Sequence, residues 1–301
     1  MASKTLIIIV SLLVLLVGCS GAQKGSDSPD SALSFQATGT QGLEIEILKD
    51  QPPSRIYTST PLSVVAQVTN KGVYDVSNAN IYLSGFDTRI ISGIPSTPQR
   101  VSLEGKNAFN PDGDLEIVEW TSSNIVLPPG TQSYSPNLLV TACYQYETIA
   151  NPIVCIDPNP FDTLQDKSCT SGNINTGGSQ GAPIAVTSIE QETTPTDIFF
   201  RIHLSNVGGG TVFEADKISS CPSSLQFSDL NKIELVEANV GGKSMDCKPE
   251  NPIRLVDGKA TIFCSVSQFT GSAYETPMQL RFRYGYKTAV AQKVEIVNIG
   301  G

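Results

Sequence analysis

Thiols are the reactive groups this chain carries in quantity, and their placement suggests two kinds of chemistry. Seven cysteines occur among 301 residues. Six of them, Cys143, Cys155, Cys169, Cys221, Cys247 and Cys264, are spread through the second half of the chain or just before it. An even number in an exported chain reads as three disulfides, although spacing alone leaves the connectivity open. No Cys-x-x-Cys occurs and His203 is the single histidine, so a zinc site of the usual Cys/His type is not expected. The seventh, Cys19, stands apart, directly behind an apolar run. A lone thiol in that place is not expected to join a bridge, so its chemistry is of another kind.

Other catalytic chemistry finds little support. His203 lies in FFRIHLSN at strand spacing, with no serine or cysteine elbow near it in sequence, so a structural or solvent-facing role is expected. No Gly-x-Ser-x-Gly, phosphate loop or dinucleotide fingerprint appears; the Gly208-Gly209-Gly210 run lacks a following Lys-Ser/Thr. Asn110-Pro-Asp112-Gly-Asp114-Leu-Glu116 offers oxygen ligands that could hold a calcium ion. The competing reading is an Asp-Gly turn with solvated acids. Asp157, Asn159, Asp162 and Asp166 form a second acidic stretch that linker solvation also explains. Tyr144, Tyr146, Tyr284 and Tyr286 could stack on sugars, but tyrosines paired along strands read as cover for a core. No catalytic residue, metal or cofactor is therefore expected.

The N-terminus supplies an address. Met-Ala-Ser-Lys carries one positive charge, and TLIIIVSLLVLLV follows. That run is too short to span a bilayer, which needs about 20 apolar residues. Its length and flanks fit a cleaved export signal. Leu16-Val17-Gly18-Cys19 resembles the lipobox of prokaryotic lipoproteins. The resemblance implies removal of residues 1–18, acylation of Cys19, and an extracytoplasmic protein held to the cell membrane by an N-terminal lipid. Residues 19–41 are small, polar and unpatterned, as a flexible tether would be. Loss of Lys4 takes the net charge from −9 to −9 − 1 = −10. So acidic a chain is a poor partner for nucleic acid.

Beyond the tether, short alternating segments separated by Gly, Pro, Asn and Asp predict strands. LEIEIL, SVVAQV, NIYLSGF, LEIVEW, LLVTACYQYET and PIVCI are examples. No long stretch of helical period appears, so an all-β fold of the sandwich type is expected. The pattern then recurs. Val68-Thr-Asn70-Lys-Gly72 matches Leu204-Ser-Asn206-Val-Gly208, and Tyr144-Gln-Tyr146 matches Tyr284-Gly-Tyr286. Landmarks in the same order at nearly constant spacing predict two tandem immunoglobulin-like sandwiches, 42–158 and 183–301, with a linker at 159–182. The strand–Asn-x-Gly–strand arrangement resembles the CARDB-type domains of prokaryotic surface proteins. That resemblance implies adhesion or surface architecture and transfers no functional residue.

Aligning the copies sets Cys143 against Arg283 and Cys155 against Glu295. Cross-strand neighbours accept either a disulfide or an opposite-charge pair. The expected bridge is thus Cys143–Cys155 across a hairpin, with Cys247–Cys264 and Cys169–Cys221 as the remaining pairs. The functional expectation is a membrane-anchored surface lipoprotein with a non-catalytic structural, adhesive or protein-binding role and an envelope or extracellular protein as partner. The alternative is a lipoprotein that captures a glycan or peptide. A cleft between the copies, polar and lined with aromatics, would favour the alternative.

Overall fold

Alternation of apolar and polar residues buries one side chain in two, and strands form wherever that pattern holds. The computed structural model describes residues 37–162, 166–194, 196–267 and 269–299. Cys19, the segment 1–18 and most of 19–41 lie outside the described residues. The first half contributes β1 (Leu43–Ile47), β2 (Arg55–Tyr57), β3 (Ser63–Asn70), β4 (Val76–Ser84), β5 (Ile91–Ser92), β6 (Gln99–Leu103), β7 (Leu115–Thr121), β8 (Asn124–Ile125), β9 (Ser133–Tyr134), β10 (Asn137–Ala150) and β11 (Ile153–Ile156). After β12 (Ile174–Asn175), the second half contributes β13 (Ile184–Thr193), β14 (Asp197–Asn206), β15 (Thr211–Phe213), β16 (Lys232–Val240), β17 (Lys243–Ser244), β18 (Asp246–Lys248), β19 (Ile253–Arg254), β20 (Lys259–Ser267), β21 (Tyr274–Lys293) and β22 (Glu295–Val297). In β14, Ile198, Phe200, Ile202 and Leu204 are buried while Phe199 and Arg201 face outward. The all-β, sandwich-type architecture is the one expected.

The duplication is visible in the pairing. A three-stranded sheet β1-β3-β7 has its counterpart in β13-β14-β20, which β12 and β18 extend at its two edges. The remaining large sheet runs β17-β16-β21-β10-β4-β6 and joins the halves through β10 and β21. Tyr144 pairs with Tyr286, and Tyr146 with Tyr284. Equivalent residues lie 284 − 144 = 140 apart. Exchanging each residue for its equivalent converts one tyrosine pair into the other, and converts Cys143↔Lys287 into Glu147↔Arg283. The register carries on beyond β10. Ile156↔Tyr274 of β11–β21 is the image of Ile296↔Tyr134 of β22–β9. The halves are thus related by an internal two-fold in the register.

The tyrosines fill the centre of this arrangement. All four are almost fully buried, with neighbouring ring centroids 5.9 to 6.3 Å apart. Their hydroxyls serve the two halves alike. Tyr144 Oη accepts from Leu43 N at 2.9 Å and Tyr284 Oη from Ile184 N at 3.3 Å, each at the entry of a half. Tyr146 Oη accepts from Tyr74 N at 3.1 Å and Tyr286 Oη from Gly210 N at 2.7 Å. The Asn-x-Gly landmark also has a matched role. Asn70 Nδ2 donates to Tyr74 O, and Asn206 Nδ2 donates to Gly210 O, both at 2.8 Å.

Two sequence expectations need correction. The chain from β10 into β11 is no hairpin. Both strands run antiparallel to the same β21, so the chain continues in one direction through Asn151-Pro152. Cys143 and Cys155 are then separated along a strand direction by about 40 Å at ~3.3 Å per residue, far beyond disulfide reach. Cys143 bonds Cys221 instead, and Cys155 bonds Cys169. The pairing of Cys169 with Cys221 falls with it. Cys247 does bond Cys264, its register partner across β18–β20.

The second correction concerns boundaries. Residues Gln36–Gly301 form one compact unit, so 42–158 and 183–301 mark halves that share a sheet. Nor is the 159–182 stretch a free linker where it is described. Cys169 is bonded to Cys155, β12 pairs with β13, and Tyr146 Oη donates to Gly181 O at 3.0 Å. Among the described residues no helix is long and apolar enough to cross a membrane.

Candidate ligand-binding cleft

The outer face of the shared sheet, opposite the tyrosines, is where the halves leave an opening. Strand alternation places Tyr82 and Ser84 of β4, Leu139 and Thr141 of β10, and Lys287 and Ala289 of β21 on this face. The registers Tyr82↔Thr141, Ser84↔Leu139 and Thr141↔Ala289 lay them side by side. They form the floor of a cleft of about 780 Å³. That volume falls within the usual range of small-molecule sites, ~300–1,000 Å³.

Each half supplies a wall. One is the loop after β4, including Phe86 and Pro95–Pro98. It is braced internally: Ile90 N and Ile91 N both donate to Asp87 O, and Asp87 N donates to Tyr134 Oη at 2.8 Å. The Arg89 guanidinium binds the Asp87 carboxylate at 2.6 Å and lowers its pKa to about 2. The other wall is Ser219–Ser224. It begins at the end of a 3-10 turn, Ala215–Ser220, and is fastened to the floor by Cys143–Cys221. Phe213, Cys143 and Cys221 pack as a separate buried cluster under this wall. Both walls are therefore held before any ligand arrives, which lowers the entropic cost of binding.

Apart from Cys143 and Cys221, the residues singled out by sequence are elsewhere. His203 is half-buried on the outer face of β14, with Nε2 3.2 Å from Glu190 Oε1 and Nδ1 3.1 Å from Thr261 Oγ1. The imidazole thus links a carboxylate to a hydroxyl, but the three lie on a sheet face. β14 is paired on both sides, by β13 and β20, so its backbone N–H groups are engaged in the ladders. Asp112, Asp114 and Glu116 belong to a turn and the start of β7, and Asp114 Oδ1 accepts from Leu115 N at 2.9 Å. Asp157 is ion-paired to Lys167 at 2.7 Å. Among the described residues no three His, Cys, Asp or Glu side chains gather as a metal site would require. The tyrosines are core, buried from any ligand. Burial pushes the Tyr144 and Tyr284 phenols well above their ordinary range and Tyr286 to about 12.

A second surface is open and aromatic. Phe199 and Phe263 stand on the outer face of β14 and β20, 43% and 53% exposed. Arg201, ion-paired to Glu190 at 3.1 Å, and Lys248 flank them in a depression of about 710 Å³. The alternation in DIFFRIHLSN signals the outward Phe199. The cleft had a weaker signal. Ser219-Ser220-Cys221-Pro222-Ser223-Ser224 surrounds a cysteine with hydroxyls, but nothing in sequence brings it over β10.

The sequence matches no protein-family model and no curated protein. Among solved structures, the chain is similar to the secreted serine protease VesC from Vibrio cholerae at 10% identity and a TM-score of 0.20, over 83% of this chain and 51% of that one. It thus spans about half the length of VesC. It is similar to the CupB6 tip adhesin from Pseudomonas aeruginosa at 9% identity and a TM-score of 0.20, over 88% of this chain and 99% of that one. Likenesses this slight carry no functional argument. The disulfides do carry one: three in a single chain belong to an oxidising, extracytoplasmic compartment.

Proposed function

We propose that this chain is an extracytoplasmic surface lipoprotein, anchored by lipid on Cys19, that captures a small ligand without transforming it. The observation that carries the reading is the cleft between the halves, with its hydroxyl-rich and aromatic lining and its disulfide-fastened wall. A glycan or peptide is the class of ligand such a lining suits. The lipobox and the three disulfides support the location. The position of His203 on a sheet face supports a non-catalytic role. Two measurements test the reading. Labelled lipid precursor enters the wild type and not Cys19→Ser. Ala289→Trp, which fills the cleft floor, abolishes binding on a glycan and peptide array while leaving the thermal melt unchanged. Array binding that survives Ala289→Trp counts against the cleft. Turnover in a broad hydrolase screen, lost on mutation of one Asp or Glu, counts against the non-catalytic role.

The second reading is an adhesive or architectural role through a protein partner in the envelope or outside the cell. Exposed Phe199 and Phe263 favour it, because large apolar side chains at the centre of a face are typical anchors of interfaces. Co-purification of a partner lost in Phe199→Ser/Phe263→Ser, and kept in Ala289→Trp, would favour this reading over the first.

A further inference from the structure

We infer that the cleft selects a saccharide bearing a carboxylate, with Lys287 as the group that recognises the charge. The inference rests on the cleft being the ligand site. Its first support is the lining. Ten of the twenty-one lining residues carry a hydroxyl, and Lys287 is the one charged residue among them. Acids outnumber Lys and Arg by 29 to 20 in the chain, yet none lines this cleft. An anion entering it meets a cation and no like charge. Hydroxyls that donate and accept match the repeated hydroxyls of a sugar. Tyr82 on the floor and Phe86 on the wall supply aromatic surface for the apolar face of the ring.

The internal two-fold supplies the second support. Lys287 is the equivalent of Glu147, and Cys143 opposite it is the equivalent of Arg283. In one half the pair is a salt bridge, with Arg283 Nε 2.8 Å from Glu147 Oε1 and Glu147 almost fully buried. In the other half the acid has become Lys287 and its partner has become Cys143, which is committed to Cys221. Lys287 therefore has its neighbour on β10 occupied by a disulfide, and its half-buried side chain lines the cleft with no carboxylate of the lining to pair with. A ligand carboxylate completes the pair that the duplication left open. An ammonium binds it as a point charge, without demanding the planar two-point geometry of a guanidinium.

The test is calorimetric titration of the full chain in detergent with trigalacturonate, with neutral trigalactose and with acetate. Wild type binds trigalacturonate at least about tenfold more tightly than trigalactose, about what one charge-assisted hydrogen bond gives. Lys287→Met brings trigalacturonate to the trigalactose level, Lys287→Arg keeps part of the preference, and Tyr82→Ala weakens both sugars. Melting temperatures of the variants confirm that each is folded. Equal affinity for the two sugars, unmoved by Lys287→Met, overturns the acidic class and leaves the cleft as a sugar site. Acetate competing as well as trigalacturonate overturns the saccharide and leaves a simple anion site. No heat with any of the three, in wild type that melts cooperatively, overturns the present inference. Failure of the cleft itself reads separately, as array binding indifferent to Ala289→Trp.

Discussion

Gln145 faces Gly285 at the centre of the β10–β21 ladder, and theirs is the pair that the internal two-fold maps onto itself. A Cβ on Gly285 would come within 2.4 Å of the Phe213 ring, which is wholly buried. The glycine is there because β15, pairing alongside β21, brings that ring over the crossing point. One half thus has Gln145 where the other must have no side chain at all.

Gly285→Ala is expected to destabilise by about 1–3 kcal/mol, the usual cost of forcing extra volume into a packed site. Phe213→Leu in the same chain should recover part of the loss. Chemical denaturation of the single and double variants measures both. Additive losses would mean that the ring is not what excludes the methyl.

Asn70→Ala should cost more than Asn206→Ala. Asn70 is fully buried; its Nδ2 donates to Tyr74 O and to Leu103 O, and its Oδ1 accepts from Gly72 N. Asn206 is half-buried and donates to Gly210 O while accepting from Tyr286 Oη. Stranded buried partners cost roughly 1–3 kcal/mol each, and less where water can replace the lost group. Equal losses in denaturant titrations would contradict the difference in burial.

Alkali should unfold the protein through its four central tyrosines. Their phenols titrate higher in the folded state than the ordinary 10, Tyr286 at about 12 and Tyr144 and Tyr284 well above the ordinary value. The stability this represents is fully present below pH 10. It is lost as pH rises, because the unfolded chain ionises first. With four phenols neutral only in the folded state, the slope approaches about 5 kcal/mol per pH unit. Phenolate absorbance should rise together with loss of β-sheet circular dichroism between about pH 10 and 12. Ionisation of all the tyrosines with the sheet intact would refute it.

Non-reducing peptide mapping should recover Cys143–Cys221, Cys155–Cys169 and Cys247–Cys264. Cys143 and Cys221 are 78 residues apart, against 14 and 17 for the others. Chain entropy therefore assigns the first about 4.5 kcal/mol and each of the others about 3. Cys143→Ser/Cys221→Ser should lower the melting temperature most. The same variant should free the Ser219–Ser224 wall, so proteolysis ought to begin there.

Residues 37–182 alone should fail to fold as a monomer. Without β21, β10 loses the partner it holds along its whole length, Asn137 to Ala150, and Tyr144 and Tyr146 lose Tyr286 and Tyr284. Size-exclusion chromatography and thermal melts of the fragment decide it. A monomer with a cooperative melt would show that the halves are independent domains after all.

Local pattern was enough for much of this. Period-two alternation in LEIEIL or FFRIHLSN makes strands with one buried face, because successive side chains point to opposite sides whatever the strand pairs with. The absence of helical period determined the all-β class. The spacing of Asn70, Asn206 and the tyrosine pairs revealed the duplication, since a copied fold keeps its turns and core positions in order. Pairing was another matter. Sequence equivalence between Cys143 and Arg283 says that they occupy like places in two halves; it does not say which strand lies next to either. A strand offers two edges, and the choice between hairpin partner and distant strand is made by how whole sheets bury their faces. Here that choice set β10 against β21 instead of β11. It sent Cys143 to Cys221, joined the halves into one unit, and left Lys287 on the floor of a cleft that no stretch of sequence outlines.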